Sequence, residues 1–439
     1  MTSTLNRPAF DLWPALADVP AGVRTTVSAF AARRLFESCL RRLPVSVHLE
    51  GRTLGVGGPQ MTVHRPDEFF ARLGRGALIG FGEAYLTGAW DSPDLVAFLT
   101  VLAAEMPQLV PDRLQRLRGL AVSRPPRRER STRANTRQNV SHHYDLSNEL
   151  FEQFLDPGMT YSSALFEADE LQLLGFSRAT APGRGQDLAA AQTRKVERLL
   201  DRTGVGPGTR VLEIGTGWGE LAIRAARRGA TVRSITLSTE QKELAERRIA
   251  DAGMADRVTV QLLDYRALVS GSTDAAGEAS GTPAYDVVLS VEMIEAVGHE
   301  FWNDYFAVID RVTAPGGRVG LQAITMPHDR MLATRNTYTW IGKYIFPGGH
   351  LPSVEVIEQI AQRDTTLRVV DRLSFGSHYA ETLRQWDERF SAARERVLAL
   401  GFDETFVRMW HFYLAYARAG FASAYLDVNQ IVLAREESR

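Results

Sequence analysis

The chain has 439 residues, a formal net charge of −1 and a hydrophobic fraction of 44%, enough apolar material for two domains and no overall field to draw in nucleic acid. Its one cysteine, Cys39, rules out an intrachain disulfide and fits a reducing compartment. No uninterrupted apolar run reaches the roughly 18 residues of a membrane span, and the amino terminus lacks the basic-then-apolar pattern of a secretory signal, so the expectation is a cytoplasmic protein.

Residues 1–25 carry Pro8, Pro14 and Pro20 and read as a loosely docked arm. Residues 27–40 repeat as a helix, and Val45-Ser-Val-His-Leu-Glu50 alternates as a strand. Short helices are expected over 67–72 and 93–102. Between them, Ile79-Gly-Phe-Gly-Glu-Ala-Tyr-Leu-Thr-Gly-Ala-Trp90 is apolar and aromatic, a composition commoner in cores than at ligands. From 112 to 138 nine arginines face only Asp112 and Glu129, and Pro125-Pro126 blocks a continuous helix. Such a stretch is either a solvated linker or a polybasic segment. In the second case each cation near an anionic bilayer contributes about 1 kcal/mol. The division is therefore an N-terminal domain over 1–111, a basic linker over 112–139 and a second domain over 140–439.

The second domain is built around Val211-Leu-Glu213-Ile-Gly215-Thr-Gly217-Trp-Gly219. A dinucleotide turn, Gly-x-Gly-x-x-Gly, needs glycine where Glu220 stands. The spacing here is Gly-x-Gly-x-Gly, and the helical run Leu221-Ala-Ile-Arg-Ala-Ala-Arg-Arg228 follows. Strand, glycine turn and helix make the first unit of a doubly wound α/β fold. Further strands are expected at 233–237, 258–263 and 285–291, ending near Thr236, Asp264 and Glu292. Strands alternating with helices imply a mostly parallel sheet with its ligand at the carboxyl ends. Loops are expected over 175–185 and 270–283, the second mobile. Late helices are expected over 381–400 and 405–425. The latter carries Trp410, Phe412, Tyr413, Tyr416 and Phe421, which suit a core or one wall of an acyl tunnel. A last strand begins at Asn429.

The central turn, Asp264 and Pro315-Gly-Gly317 together resemble a class I S-adenosylmethionine methyltransferase. The motifs His143-Tyr-Asp-Leu-Ser-Asn148, Met159-Thr-Tyr161-Ser162, Thr236-Leu-Ser-x-x-Gln241, Lys343-Tyr-Ile-Phe-Pro-Gly-Gly349 and Phe375-Gly-x-x-Tyr379 narrow the resemblance to the cyclopropane fatty acid synthase family. The resemblance implies a Rossmann-like α/β domain behind a smaller α+β domain thought to help bind lipid. It implies S-adenosylmethionine held by Tyr161, Ser162, Glu213, Gly215, Gly217, Gly219, Thr236, Gln241 and Asp264. It implies a bicarbonate base held by Ser163, Glu295, Gln322, Ile324 and Tyr379.

Several positions depart from the family pattern. Ser163 stands for the usual cysteine and Gln322 for a histidine. Ala296 and Ala417 replace a further histidine and cysteine. Glu292 lies three residues before Glu295, one turn away if the segment is helical. Paired carboxylates raise one pKa and so create a base, and Glu295, the one acid that matches the family's base-holding set, is expected to accept the proton directly or to hold a bicarbonate that does so. These departures resemble the branch that makes methylene-branched chains from oleoyl phospholipids, which a separate flavin-dependent reductase saturates to 10-methyl acids. The implied protein works at the inner, anionic membrane face, with its oligomeric state open. Two alternatives are a cyclopropane synthase and a non-catalytic lipid- or cofactor-binding module.

Overall fold

The computed structural model describes residues 13–109, 126, 147–269 and 285–435. The basic stretch (apart from Pro126), the 270–283 insertion and His143 to Asp145 lie outside the described residues. The chain divides into two compact units. One joins Met1–Arg124 with Thr337–Ile345 and Trp386–Tyr425; the other joins Pro125–Asn336, Phe346–Gln385 and Leu426–Arg439. A sequence boundary near 140 assigns everything beyond it to one domain, whereas two later stretches return to the first unit. Their aromatic side chains are the reason.

In the first unit, α1 (Val23–Leu40) turns Phe36 onto Phe69 and Phe70, with ring centroids 5.2 and 5.9 Å apart. Strands β1 (Ser46–Leu49), β2 (Arg52–Leu54), β3 (Gln60–Val63) and β4 (Trp90–Asp91) form a sheet in the order β2-β1-β3-β4. Helix α2 (Pro66–Gly76) opens on Pro66, where the missing N–H would be unpaired anyway. Asp67 and Glu68 in its first turn suit the positive end of the helix dipole. Helices α3 (Leu78–Leu86) and α4 (Leu95–Leu109) complete the N-terminal part. The late helix Glu404–Ala422 sets Phe412 5.0 Å from Tyr85 and 4.8 Å from Trp340. Its aromatic density thus serves this unit's core.

The second unit is a nine-stranded sheet in the order β5-β6-β12-β13-β11-β10-β7-β8-β9. Its strands are β5 (Glu170–Leu173), β6 (Phe176–Ala179), β7 (Arg210–Ile214), β8 (Thr231–Thr236), β9 (Val258–Leu262), β10 (Tyr285–Val291), β11 (Thr313–Thr325), β12 (Leu367–Ser374) and β13 (Asp427–Arg435). The five strands β11, β10, β7, β8 and β9 are mutually parallel. Val211, Leu212, Val288 and Leu289 are fully buried, as continuous apolar runs in parallel strands require. Helices α5 (Leu188–Thr203), α6 (Glu220–Arg227), α7 (Thr239–Asp251), α8 (Ile294–Val297), α9 (Trp302–Val312), α10 (Val354–Asp364) and α11 (Gly376–Ala392) connect the strands. Residues 176–179 are a strand and not loop as expected. They pair antiparallel with β5 around Gly175, and parallel with β12. The expected loop begins only after Ala179.

The order of connection reverses between β7 and β10. That reversal opens a crevice outside the carboxyl ends of those two strands. The glycine turn follows β7 and Glu292 follows β10, so both candidate sites stand at this point.

Candidate active site

The glycine turn is held open by backbone conformation. Gly215, Gly217 and Gly219 have φ of +99°, +52° and +89°, values that L side chains rarely adopt. A Cβ at Gly219 would stand 3.3 Å from Ala245, whereas one at Gly217 would meet nothing within 4 Å. Among the described residues, the space in front of Gly217 is therefore open. Gly217→Val would fill it with a branched side chain, and the affinity of the folded variant for S-adenosylmethionine should fall roughly tenfold or more. Calorimetry checks this; undiminished affinity would mean that the ligand lies elsewhere.

Glu213 ends β7 with its carboxylate buried beneath this turn, accepting from Ser234 Oγ at 2.5 Å. Ser234 also shares a hydrogen bond with Thr216 of the turn. Burial pushes Glu213 up to about 8, with Ser234 opposing. At the next strand end Thr236 donates to Gln241 Oε1 at 2.9 Å, and Ser238 caps α7 by accepting from Gln241 N. Asp264, after β9, is held by Arg266 through the backbone N–H at 3.0 Å and the guanidinium at 2.9 and 2.6 Å. Adjacent strands β7, β8 and β9 thus carry Glu213, Thr236 and Asp264 at the same end.

A second segment covers the turn. Phe151 lies 5.1 Å from Tyr161 and 5.0 Å from Trp218. Arg248 of α7 donates to the carbonyls of both Gly158 and Trp218, at 2.9 and 2.6 Å. One guanidinium therefore ties residues 158–162 to the glycine turn. Ser162 Oγ accepts from Lys195 Nζ at 2.6 Å, and Ser162 O accepts from Gln192 at 2.8 Å. Glycine turn, open space and covering segment fit a small, polar cofactor.

The second cluster gathers around two carboxylates. Glu292 accepts from Ser163 N at 2.9 Å, Gln322 Nε2 at 2.9 Å and Tyr379 Oη at 2.7 Å. Its backbone N–H donates to Gln322 O at 2.7 Å. Glu292 has φ +52°, a conformation that costs a non-glycine residue about 1–2 kcal/mol. It precedes α8 rather than sharing a helical turn with Glu295. Strain kept in place by four hydrogen bonds at a strand end points to function.

Glu295 accepts from Ile324 N at 2.5 Å, and its other oxygen, Oε2, is buried and has no hydrogen-bond partner among the described residues. Burial raises the pKa of both acids. At Glu292 it is opposed by Ser163, Gln322, Tyr379 and the Lys195 charge. At Glu295 the Glu292 charge adds to it and the value reaches about 8. Of the pair, Glu292 has the donors that stabilise its charge, and Glu295 receives the repulsion of that charge.

Four of the six candidate catalytic residues, Ser163, Glu292, Gln322 and Tyr379, therefore meet in one hydrogen-bond network, and the pair Glu295–Ile324 lies close enough to feel the Glu292 charge. Gln322 is itself oriented by Gln430, whose amide also donates to Lys195 O.

Lys195 is almost wholly buried, and burial brings its pKa down to about 8, with Glu292 the largest opposing charge. Sequence reasoning missed Lys195 and Gln192. The signal was present: they fall at 192 and 195 on the helical face that also carries Leu188, Val196 and Leu199, where an apolar residue is expected. A polar residue at a core position needs a partner.

A family model for mycolic acid cyclopropane synthetases matches residues 131–431. The chain belongs to this family. The cyclopropane synthase family has relatives at both levels of comparison. The tuberculostearic acid methyltransferase UfaA1 of Mycobacterium tuberculosis is 50% identical over 97% of this chain and 96% of its own. The cyclopropane-fatty-acyl-phospholipid synthase of Escherichia coli is 33% identical over 87% and 89%. Among solved structures, the mycolic acid cyclopropane synthase CmaA1 complexed with S-adenosylhomocysteine and CTAB superposes with a TM-score of 0.57 at 28% identity, over 68% of this chain and 98% of that one. The fold is thus that of a class I methyltransferase, and the protein is an S-adenosylmethionine-dependent fatty acyl methyltransferase of the cyclopropane synthase family.

Proposed function

We propose that this enzyme methylates the cis double bond of an oleoyl-type phospholipid chain and releases a methylene-branched chain, with Glu292 as the base. The observation that carries the reading is the donor set around Glu292. Ser163, Gln322 and Tyr379 are three of the five positions assigned to bicarbonate by family resemblance, and all three donate to the Glu292 carboxylate. The other two, Glu295 and Ile324, bond to each other. A bicarbonate ion does not fit among donors already taken, and a tethered carboxylate replaces it.

S-adenosylmethionine, when bound, supplies a sulfonium-activated methyl group. The site's own residues do the rest. The glycine turn and the 158–162 segment hold the donor in near-attack geometry, which an alkene, a poor nucleophile, requires. Methylation of one alkene carbon leaves the cation on the other. A hydride then shifts, and the cation moves to the methyl-bearing carbon. Loss of a proton from the new methyl group forms the exomethylene double bond, and Glu292 accepts that proton. Proton loss before the hydride shift would close a cyclopropane instead. An ionised carboxylate also stabilises the cation electrostatically, which lengthens its life and favours the shift.

The partners follow from this chemistry. The substrate sits in a bilayer, so the protein works peripherally at an anionic membrane surface, in the cytoplasm. A flavin-dependent reductase is the class of enzyme that saturates the methylene product. The experiment is conversion of dioleoyl phospholipid by the full chain with S-adenosylmethionine, followed by proton NMR of the extracted lipid. Vinylic methylene signals are the expected result. Cyclopropane protons as the sole product would overturn it, since the two products share one mass.

A further inference from the structure

We propose that the outer face of α1 is the surface by which this protein docks on an anionic lipid bilayer. The inference rests on the phospholipid reading of the substrate. Among the described residues, α1 has two opposed faces. Thr25, Phe36 and Leu40 turn inward, where Thr25 and Leu40 are buried and Phe36 meets two phenylalanines. Val23, Val27 and Phe30, spaced by four and three residues, share the opposite face. They are 83%, 65% and 61% exposed. A single exposed apolar side chain means little, but three aligned ones on one helix mark a contact surface.

The charges on that face choose the partner. Arg34 and Arg41 continue the same stripe, Arg24 borders it, and all three are exposed. Arg34 lies over the Phe30 ring, 5.1 Å from its centroid. Glu37 is the helix's one acid and stands at the edge of the stripe. It is already engaged by Arg33 at 3.1 Å and Arg52 at 3.4 Å. Apolar side chains with arginines beside them on one face of an 18-residue helix offer an anionic bilayer both an apolar contact and a cationic one. The arginine stems extend along apolar surface while their heads reach phosphate groups. A neutral protein would not require the cations, and a second copy of this face would set like charges together.

The test is cosedimentation of the full chain with phosphatidylglycerol-containing and phosphatidylcholine vesicles. The unmodified protein should bind the anionic vesicles. V27S/F30S should weaken that binding roughly tenfold or more. R24Q/R34Q/R41Q should weaken it chiefly at low salt, where screening is least. Both variants change exposed side chains, and their turnover of dioleoyl phospholipid in detergent micelles should match the unmodified protein. Unchanged vesicle binding by V27S/F30S would overturn the proposal, as would failure of the unmodified protein to bind anionic vesicles. So would a dimer of the unmodified protein that V27S/F30S dissociates without loss of vesicle binding, which would make the face a contact between copies. Absence of turnover in micelles by the unmodified protein would instead sink the phospholipid reading itself.

Discussion

Glu292→Gln should lower turnover by about 10²–10⁴-fold while leaving S-adenosylmethionine affinity within a factor of about two. The amide keeps the size of the carboxylate, and its oxygen still accepts from Ser163 N and Gln322. It cannot take a proton at neutral pH. The loss corresponds to the contribution of a positioned base, roughly 3–5 kcal/mol. The pH profile separates this role from a structural one. Burial raises the Glu292 pKa above the ordinary carboxylate range. Below that pKa the group is protonated and is no base, so turnover of the unmodified enzyme should fall as pH falls through it. That limb should disappear in Glu292→Gln. Tyr379, Lys195 and Glu295 are the titratable groups that face Glu292; the change keeps their side chains but removes the charge that raises Lys195 and Glu295, so the pKa of each of those two should fall. Glu295→Gln should cost less, because Glu295 is held neutral at pH 7 already. Turnover of Glu292→Gln within a few-fold of the unmodified enzyme, measured as release of S-adenosylhomocysteine, would place the base elsewhere.

Glu292→Gly should abolish turnover in bicarbonate-free buffer and regain a part of it when bicarbonate is added. The φ of +52° at this position is one that glycine adopts without strain, so the backbone should keep its course. Removing the side chain leaves Ser163 N, Gln322 Nε2 and Tyr379 Oη pointing at a space the size of a carboxylate. A small oxyanion with the same shape suits those donors. Adding Gln322→His and Ala296→His supplies imidazoles that orient a bicarbonate and share its proton. In that triple variant proton removal should precede the hydride shift, and part of the product should become cyclopropane. NMR of the extracted lipid reads both outcomes. Absence of rescue at any bicarbonate concentration would mean that the carboxylate's tether matters beyond its charge. Rescue with only the exomethylene product would mean that substrate posture sets the timing.

The cofactor half of the site was legible in the chain because its signals are local. Gly215, Gly217 and Gly219 sit within five residues, and a strand-turn-helix needs no distant partner to be recognised. The hairpin over 170–179 was harder to read. Its second strand is four residues long, and its pairing with β12 joins residues almost 200 apart in sequence. Lys195 escaped for another reason. A lysine in an Ala-rich helix normally faces water, and only packing shows that this one does not. The aromatic helix Glu404–Ala422 could be read as apolar, but which core it fills depends on Tyr85 and Trp340.

The sequence by itself determined the α/β class, the glycine turn, the family resemblance and three of the residues now seen around Glu292, namely Ser163, Gln322 and Tyr379. Those features depend on residue type, spacing and periodicity, which are written along the chain. Only the tertiary structure distinguished the surroundings of the two carboxylates. Glu292 and Glu295 are three residues apart and chemically alike. Their environments separate because Ser163, Gln322, Tyr379 and Lys195 arrive from four other segments to stabilise charge on Glu292, while Glu295 receives the repulsion of its neighbour. A pKa is set by what surrounds a group in space, and those surroundings exist only once the chain has folded.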